Sequence, residues 1–359
     1  MFMRAYNFSA GPAVLPEEVL KQAQAELVDY QGTGMSVMEM SHRGKEYSAI
    51  HDETIANIKE LLNIPAGYSV LFLTGGASTQ FAMIPMNLLG AGQTADYTNS
   101  GAWASKAIKE AKALGNVNVV ADCGKEIPTR VPSINELKLT DNAAYLHITS
   151  NETISGAQWK VFPEHDCLIA DMSSDMLSRP LDASKFGLIY AGAQKNLGPA
   201  GVTLVIIKDE LAERCPETVP TMFRYKTHIE NNSLYNTVPT FPVYILCLVT
   251  RWLKAKGGLE GMKKINEEKA SKLYAAIDTS DFYKGTAVKE FRSDMNVTWR
   301  LPSEELEAQF VAEASKKNLK TLKGHRSVGG IRASIYNAFP MEGVDALISF
   351  MKEFEAKNG

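Results

Sequence analysis

The chain alternates between short runs that are almost entirely apolar and longer stretches in which apolar residues recur at helical spacing. Seven short runs rich in β-forming residues lie at residues 69–74, 93–99, 117–122, 144–150, 167–173, 187–193 and 202–208. Strands covered on both faces are nearly continuous in apolar residues, and helical stretches such as residues 101–115 separate some of the runs. The pattern predicts an α/β fold with a large, mostly parallel seven-stranded sheet flanked by helices.

The rhythm of apolar positions changes towards the C-terminus. The elements predicted there are a helix at 261–277, a strand at 294–302, a helix at 303–318, a strand at 329–337 and a helix at 343–357. We therefore predict a large domain over residues 16–256 and a smaller α+β C-terminal domain over residues 257–359. Residues 1–15 are rich in turn formers, and we expect them to pack on the smaller domain.

Charge and composition exclude several classes of protein. The chain has 359 residues and a net charge of −3, so it lacks the basic excess that nucleic-acid binding requires. The most apolar helical stretch, residues 242–255, is too short to span a bilayer and contains Arg251, and the N-terminus has no apolar run of signal-peptide length. Four widely separated cysteines fit free thiols in a reducing compartment. We expect a cytoplasmic protein that binds neither membrane nor nucleic acid.

A glycine turn follows the first predicted strand of the large domain. Gly75, Gly76, Ala77 and Ser78 lead directly into a helical stretch. A helix N-terminus offers free backbone N–H groups and a favourable dipole to a phosphate, although a plain tight turn explains the glycines equally well. The segment matches neither the Walker loop nor the G-x-G-x-x-G pattern, so it specifies no nucleotide.

Two ionisable residues follow other strands of the same sheet. Asp171 ends one apolar run, and Lys195 comes just after another, in the sequence "GAQKNLGPAG". Ligands of such sheets bind beyond the carboxyl ends of the strands. A desolvated lysine becomes a usable amine nucleophile, whereas a lone lysine or aspartate is also consistent with a surface charge or a salt bridge.

Together, a phosphate cradle, a carboxylate and an amine are the groups that pyridoxal phosphate requires. Its aldehyde bonds to a lysine, its pyridine nitrogen pairs with an acid, and its phosphate suits a helix N-terminus. Trp103 is a candidate to stack on the ring, although a single tryptophan is more often part of a core.

Longer motifs carry a resemblance to a known family. They are "NFSAGPAVLP", "SVMEMSHRGKEY", "GGASTQFAMIPMNLL", "HITSNETISGAQW", "ADMSSDMLSRP", "YAGAQKNLGPAGVTLVII", "NTVPTFPVY" and "GHRSVGGIRASIYNA". With these motifs, the chain resembles the fold type I pyridoxal-phosphate enzymes, and within them the phosphoserine aminotransferase family of the class V aminotransferases. The resemblance covers nearly the whole chain.

The resemblance implies a role for each matching residue of the cofactor site. Lys195 would carry the cofactor as a Schiff base and act as the acid–base catalyst, and Asp171 would pair with the pyridinium nitrogen. The other implied cofactor contacts are Thr153 to the ring hydroxyl, Trp103 to the ring face, and Gly76, Ala77, Ser78 and Gln194 to the phosphate. Asn236 and Thr237 would reach that phosphate from a partner subunit, so the resemblance implies a homodimer with shared active sites.

The resemblance also implies the substrates, namely L-glutamate and 3-phosphohydroxypyruvate, which become 2-oxoglutarate and O-phospho-L-serine in a ping-pong reaction of serine biosynthesis. Arginine forks suit these anions. The implied substrate contacts are Ser9, Arg332 to the α-carboxylate, His325 and Arg326, and His42 and Arg43 from the partner. Some relatives carry arginine in place of Ser78, and a lost charge-assisted bond would cost about 1.5–3 kcal/mol.

Other readings of the sequence stay open. The chain is also compatible with another class V small-acid aminotransferase, with a desulfurase, or with a non-catalytic cofactor-binding module. A desulfurase would need a catalytic cysteine, and none of the four cysteines has an evident active-site context. 4-Phosphohydroxy-L-threonine is a second candidate substrate. The histidines have no metal-ligand spacing, so no metal site is expected.

Overall fold

The computed structural model describes residues 4–124 and 128–359. Its strands are β1 Tyr6–Asn7, β2 Tyr68–Leu73, β3 Thr94–Asn99, β4 Asn116–Asp122, β5 Leu146–Thr149, β6 Asn151–Glu152, β7 Ala157–Gln158, β8 Leu168–Asp171, β9 Leu188–Gly192, β10 Thr203–Lys208, β11 Lys284–Gly285, β12 Asn296–Arg300, β13 Leu319–Lys320 and β14 Ile331–Ser334. Its α-helices are α1 Glu17–Ala25, α2 Lys45–Leu61, α3 Gly76–Leu88, α4 Ala102–Lys112, α5 Asp209–Ala212, α6 Tyr225–Glu230, α7 Thr240–Ala255, α8 Gly258–Asp278, α9 Glu304–Lys316 and α10 Met341–Asn358.

The main sheet has seven strands in the order β2-β10-β9-β8-β5-β3-β4. These are the seven predicted apolar runs, and neighbouring strands are parallel except for β10, which is antiparallel to both β2 and β9. The prediction of a mostly parallel seven-stranded sheet is therefore confirmed. Because the other six strands run in the same direction, their carboxyl ends meet at one edge of the sheet.

Helices cover both faces of this sheet and bury two apolar clusters. The strands β8 and β9 are buried along their full length, which explains why their sequences show no polar alternation. One cluster contains residues of α1, α2 and α7, and the other contains residues of α3 and α4. Helix α7 contains the apolar stretch that was too short for a membrane span, and it packs against α2. In the described ranges, no helix is both long and apolar enough to cross a membrane.

The C-terminal part forms a separate apolar core of its own, around the antiparallel sheet β11-β12-β14 and helices α8, α9 and α10. Ser303 is the N-cap of α9, and its Oγ accepts a hydrogen bond from Leu306 N at 3.3 Å. The N-terminal segment joins this core, because β1 pairs with β13 and Phe8 is fully buried in it. The domain boundary between residues 256 and 257 stays a prediction, and it falls between α7 and α8.

An asparagine contact joins the C-terminal core to the turn that contains Lys195. Asn337 N donates to Asn196 Oδ1 at 2.9 Å, and Asn337 Nδ2 donates to the carbonyl of Leu177 at 2.8 Å. On its other side, Asn337 Oδ1 accepts from Asn266 of α8 at 2.8 Å. All three asparagines are buried, where unpaired amides are costly, so these bonds hold the Lys195 turn in place.

Candidate active site

The carboxyl-end edge of the sheet collects residues from five strand ends. Gly75 follows β2, Trp103 follows β3, and Thr153 follows β6, which continues from β5. Asp171 ends β8, and Lys195 comes three residues after β9. The strand pairing fixes these neighbours, since Thr149 at the end of β5 is opposite Asp171, and Asp171 is opposite Tyr190 of β9.

Lys195 points its amine at Thr153 and Trp103. Its Nζ donates to Thr153 Oγ1 at 2.5 Å and lies 4.7 Å from the centroid of the Trp103 ring. Burial lowers the pKa of Lys195 to about 8, and the opposite charges of Asp171 and Glu152 offset only part of this effect. The amine therefore loses its proton at a lower pH than an ordinary lysine does, which favours nucleophilic and proton-transfer chemistry.

Asp171 is held by hydrogen bonds to one of its two carboxylate oxygens. Its Oδ1 accepts from Ser173 N at 2.9 Å and from Ser173 Oγ at 2.6 Å. Ser173 Oγ in turn accepts from Gly192 N at 3.0 Å, which ties the carboxylate to the end of β9. No hydrogen bond found in the described part of the chain uses Oδ2. Burial raises the pKa of Asp171 and so disfavours its ionised form, which a cationic nitrogen placed beside it would stabilise.

The glycine turn has a backbone that only glycine adopts readily. Gly75 has φ 86° and Gly76 has φ 64°, and a Cβ on Gly75 would lie 1.9 Å from Thr79 Oγ1. Gly75 is also the N-cap of α3, and no side chain within residues 4–124 and 128–359 caps this end of the helix. A Cβ on Gly76 would meet no atom within 4 Å. The side of Gly76 where a Cβ would lie is therefore open, next to a helix N-terminus whose N–H groups can bind a phosphate.

Arg332 is joined to the Lys195 site through Thr153. Its Nη1 donates to the Thr153 carbonyl at 3.3 Å, while its buried Nε has no hydrogen-bond partner in the described ranges. The pKa of His325 is lowered by burial and by the positive charges of Arg332, Arg326 and Lys106. Arg332 also opposes the protonated form of Lys195, so positive charge is present near both His325 and the amine.

The remaining predicted residues lie at different distances from this centre. Ser9 is half-buried in the N-terminal turn, and a Cβ on Gly11 of that turn would lie 3.2 Å from Lys195 Cγ. The side-chain amide of Gln194 lies over Gly192, since a Cβ on Gly192 would be 2.7 Å from Gln194 Oε1. Asn236 is exposed and lines a cavity of about 260 Å³ together with Gly75.

The two predicted segments at residues 42–43 and 236–237 lie next to each other, and within the described residues neither forms a hydrogen bond with Lys195. Arg43 is exposed, and its Nη2 donates to the carbonyl of Leu234 at 3.4 Å, close to the exposed residues Asn236 and Thr237. His42 is half-buried, and its Nε2 has no partner among the described residues. The four residues predicted to act on a partner's site therefore lie in neighbouring segments of one chain.

Sequence reasoning missed three side chains of this centre. Ser173 was detectable, because a serine two residues after an aspartate is a common partner for its carboxylate. Lys106 lies one helical turn after Trp103, and its Nζ is 4.2 Å from the centroid of the Trp103 ring. Glu152 is fully buried beside Thr153, and the only signal in the sequence is a charged residue in the run "HITSNETIS".

The site fits pyridoxal phosphate on four independent observations. It contains an amine with a lowered pKa, a buried carboxylate with one oxygen available, and a helix N-terminus that no side chain of the described residues caps. It also contains Trp103, whose ring lies near the amine and whose buried Nε1 lacks a partner in the described ranges. These groups match the aldehyde, ring nitrogen, phosphate and ring face of the cofactor.

Replacing Gly75 with alanine tests the glycine turn. We expect Gly75→Ala to weaken cofactor binding by about tenfold or more, because a Cβ there collides with Thr79 and strains the backbone. Gly67→Ala is the matched control, since Gly67 also has a positive φ of 82° but its Cβ would meet no atom within 4 Å. Cofactor titration followed by absorbance measures both affinities, and equal affinities for the two variants would contradict the assignment.

Comparison with known proteins agrees with this geometry over almost the whole chain. The family model described as aminotransferase class-V matches residues 5–347. Phosphoserine aminotransferase of Niallia circulans is 57% identical over 362 residues, covering 100% of both chains. The solved structure of phosphoserine aminotransferase from Bacillus circulans subsp. alkalophilus has a TM-score of 0.98 at 57% identity, with 99% of each chain covered. That of the PLP-bound phosphoserine aminotransferase from Trichomonas vaginalis has a TM-score of 0.94 at 43% identity and covers 97% of this chain and 100% of its own.

The fold, the cofactor groups and the similarity all lead to one assignment. The chain has the α/β architecture of fold type I, and its strand ends carry a buried amine, a buried carboxylate and a glycine turn at a helix N-terminus. The chain belongs to the phosphoserine aminotransferase family of the pyridoxal-phosphate-dependent class V aminotransferases.

Proposed function

We propose that this enzyme transfers the amino group of L-glutamate to 3-phosphohydroxypyruvate, yielding 2-oxoglutarate and O-phospho-L-serine for serine biosynthesis. One observation carries the proposal. The hydroxyl of Thr153 accepts from Lys195 Nζ, and its carbonyl accepts from Arg332 Nη1. One residue therefore brings a reactive amine close to a guanidinium group that can bind a carboxylate. An α-amino acid needs this pair, because its amine reacts while its carboxylate is held.

Bound pyridoxal phosphate would supply an aldehyde that takes up the amino group and a ring that accepts the electron pair of the broken Cα–H bond. Lys195 Nζ would take the α-proton and return it, since its lowered pKa brings it near neutrality. Asp171 would keep a proton on the ring nitrogen, while Thr153 Oγ1 would orient the ring hydroxyl. Trp103 would cover one ring face and exclude water.

Charge explains the choice of substrates. Arg332 would bind the α-carboxylate that glutamate and phosphoserine share, because its planar fork matches the two oxygens. His325 and Arg326 would receive the distal carboxylate or phosphate, and the positive charge around His325 supports this role. Gly76, Ala77 and Ser78 would hold the cofactor phosphate through backbone N–H groups, with Gln194 contributing from the Lys195 turn.

We also infer a homodimer in which each subunit completes the other's site. Val28 and Met38 are exposed by 83% and 57%, and they lie in the segment that leads to His42 and Arg43. Exposed apolar side chains of this kind favour a protein interface. His42, Arg43, Asn236 and Thr237 would then face the partner's cofactor and substrate. The absence of a disulfide at any of the four described cysteines supports a cytoplasmic location.

Mixing two inactive variants tests the shared site. If Arg43 acts in the partner's site, a dimer of one Lys195→Ala chain and one Arg43→Ala chain contains one site with both defects and one site with neither. After subunits are unfolded and refolded together in equal amounts, we expect about a quarter of wild-type activity at low substrate concentration. Activity equal to the sum of the separate variants would place Arg43 in the site of its own chain.

The reaction itself is tested by varying both substrates. The cofactor absorbance should change on adding glutamate alone, and initial rates with 3-phosphohydroxypyruvate should give parallel double-reciprocal lines. Intersecting lines, or faster turnover of alanine with glyoxylate, would refute the proposal in favour of another mechanism or another small-acid aminotransferase. The same assay with 4-phosphohydroxy-L-threonine as amino donor tests the second substrate.

A further inference from the structure

Glu152 is a buried carboxyl group that the proposed reaction does not use. It ends β6, directly before Thr153, and its side chain is 0% exposed. Its Oε1 accepts a hydrogen bond from Ser100 Oγ at 2.8 Å, and its Oε2 makes no full hydrogen bond in the described part of the chain, although the backbone N–H of Ala104 is close enough to lower the pKa of the group. A carboxyl group that served only to stabilise the fold would be expected to satisfy both oxygens, because leaving one unpaired in the interior is costly.

The carboxyl group lies against the backbone that carries Trp103. A Cβ placed on Gly101 would be 2.6 Å from Glu152 Oε2, so the group packs directly on the residue that precedes α4. Trp103 is the second residue of that helix. Ser100 and Gly101, which directly precede α4, are therefore both in contact with the Glu152 carboxyl group.

The same carboxyl group faces the charges of the active site. Lys195 attracts its negative form and Asp171 repels it, and burial is the largest of the effects that raise its pKa to about 7. Lys195 in turn feels Glu152 and the carboxylates of Asp171 and Asp175, which favour its protonated form, and Arg332, which opposes it. The charge on Glu152 therefore depends on the proton at Lys195, and the dependence is mutual.

We propose that Glu152 is a positioning residue that couples the protonation of Lys195 to the placement of Trp103 through Ser100 and Gly101. When Lys195 carries its proton, its charge stabilises the ionised carboxyl group of Glu152. The ionised group then holds Ser100 and Gly101 at the N-terminus of α4, where a negative charge is favourable. When Lys195 is neutral, the ionised form of Glu152 loses this stabilisation and its attraction to the N-terminus of α4 weakens. The inference rests on the proposed function, because it gives Trp103 its role at the cofactor ring.

Glu152→Gln separates the charge from the shape, because glutamine keeps an oxygen that accepts from Ser100. In the cofactor-loaded enzyme, we expect the pH midpoint of the visible absorbance to fall by about half a unit to one unit, since a negative charge near the Lys195 linkage is lost. In the cofactor-free chain, the fluorescence of Trp103 is obtained by subtracting the signal of the Trp103→Phe variant. This fluorescence should change near neutral pH in the wild-type chain, and Glu152→Gln should abolish that change. An unchanged midpoint together with an unchanged transition overturns the proposal.

Two further variants keep the test decisive. Asp96→Asn makes the same change of a buried carboxyl to an amide on β3, far from Lys195, and should lower stability without altering either pH transition. Ser100→Ala removes the hydrogen bond to Glu152 Oε1 without changing charge, so the Trp103 transition should weaken even if Glu152→Gln does not fold. The fluorescence needs no turnover, so a failure of the proposed reaction is distinguishable from a failure of this inference.

Discussion

Replacing Lys195 with alanine is expected to lower turnover by about a thousandfold or more. The variant loses both the covalent bond to the cofactor and the group that moves the α-proton, and proton transfer alone contributes about 10²–10⁴-fold in enzymes. The measurements are kcat with glutamate and 3-phosphohydroxypyruvate, and borohydride reduction followed by peptide mass analysis. Wild-type chain should carry the cofactor mass at residue 195, and the variant should carry none there.

Lys208→Ala is the matched control for this experiment. Lys208 ends β10, which is antiparallel to its neighbours, and its N–H donates to the Gly187 carbonyl just before β9 begins. Lys208 therefore lies at the edge of the sheet opposite to the one that carries Lys195. Replacing it also removes a lysine at the end of a strand, but turnover should be unchanged. Near wild-type turnover in Lys195→Ala would refute the assignment of the site.

Replacing Arg332 with lysine is expected to lower kcat/KM by about a hundredfold for glutamate and for phosphoserine alike. Lysine keeps the positive charge but loses the planar fork, and charge-assisted hydrogen bonds are each worth about 1.5–3 kcal/mol. The effect should be similar for the two amino acids because both present the same α-carboxylate. Single half-reactions, followed by cofactor absorbance, measure the two substrates separately.

Arg292→Lys controls for the loss of an arginine fork elsewhere in the C-terminal core. Arg292 binds both oxygens of Asp278 at 2.7 Å, so the same substitution breaks a fork that touches no substrate. It should lower stability and leave kcat/KM unchanged. A defect of Arg332→Lys that is confined to one of the two amino acids would show that Arg332 binds the distal group instead of the α-carboxylate.

Apolar runs carried most of the information about the fold. All seven predicted runs form strands of one sheet, because strands covered on both faces must be apolar along their length. The direction of β10 could not be predicted from this pattern, since a buried strand has the same composition whether its neighbours are parallel or antiparallel. Only the register of Thr203 with both Leu73 and Gly192 reveals it.

The candidate site was predictable where a residue follows its own strand. Asp171, Lys195 and the glycine turn could be identified because the carboxyl ends of the parallel strands of a sheet meet at one edge. The roles of these residues stay predictions until the variants above are measured. Ser173 and Glu152 escaped notice because their importance depends on which atoms they touch and not on their position after a strand.

By itself, the sequence determined the class of fold, the strand ends that carry chemistry, and the kind of cofactor these groups suit, because periodicity and residue type are local properties. Only the tertiary structure decided which distant groups act together. Thr153 contacts both Lys195 and Arg332, the latter 179 positions away in the chain, and Ser100 reaches Glu152 across 52 positions. Such contacts depend on how strands are ordered and helices packed, and no local pattern of residues encodes that order.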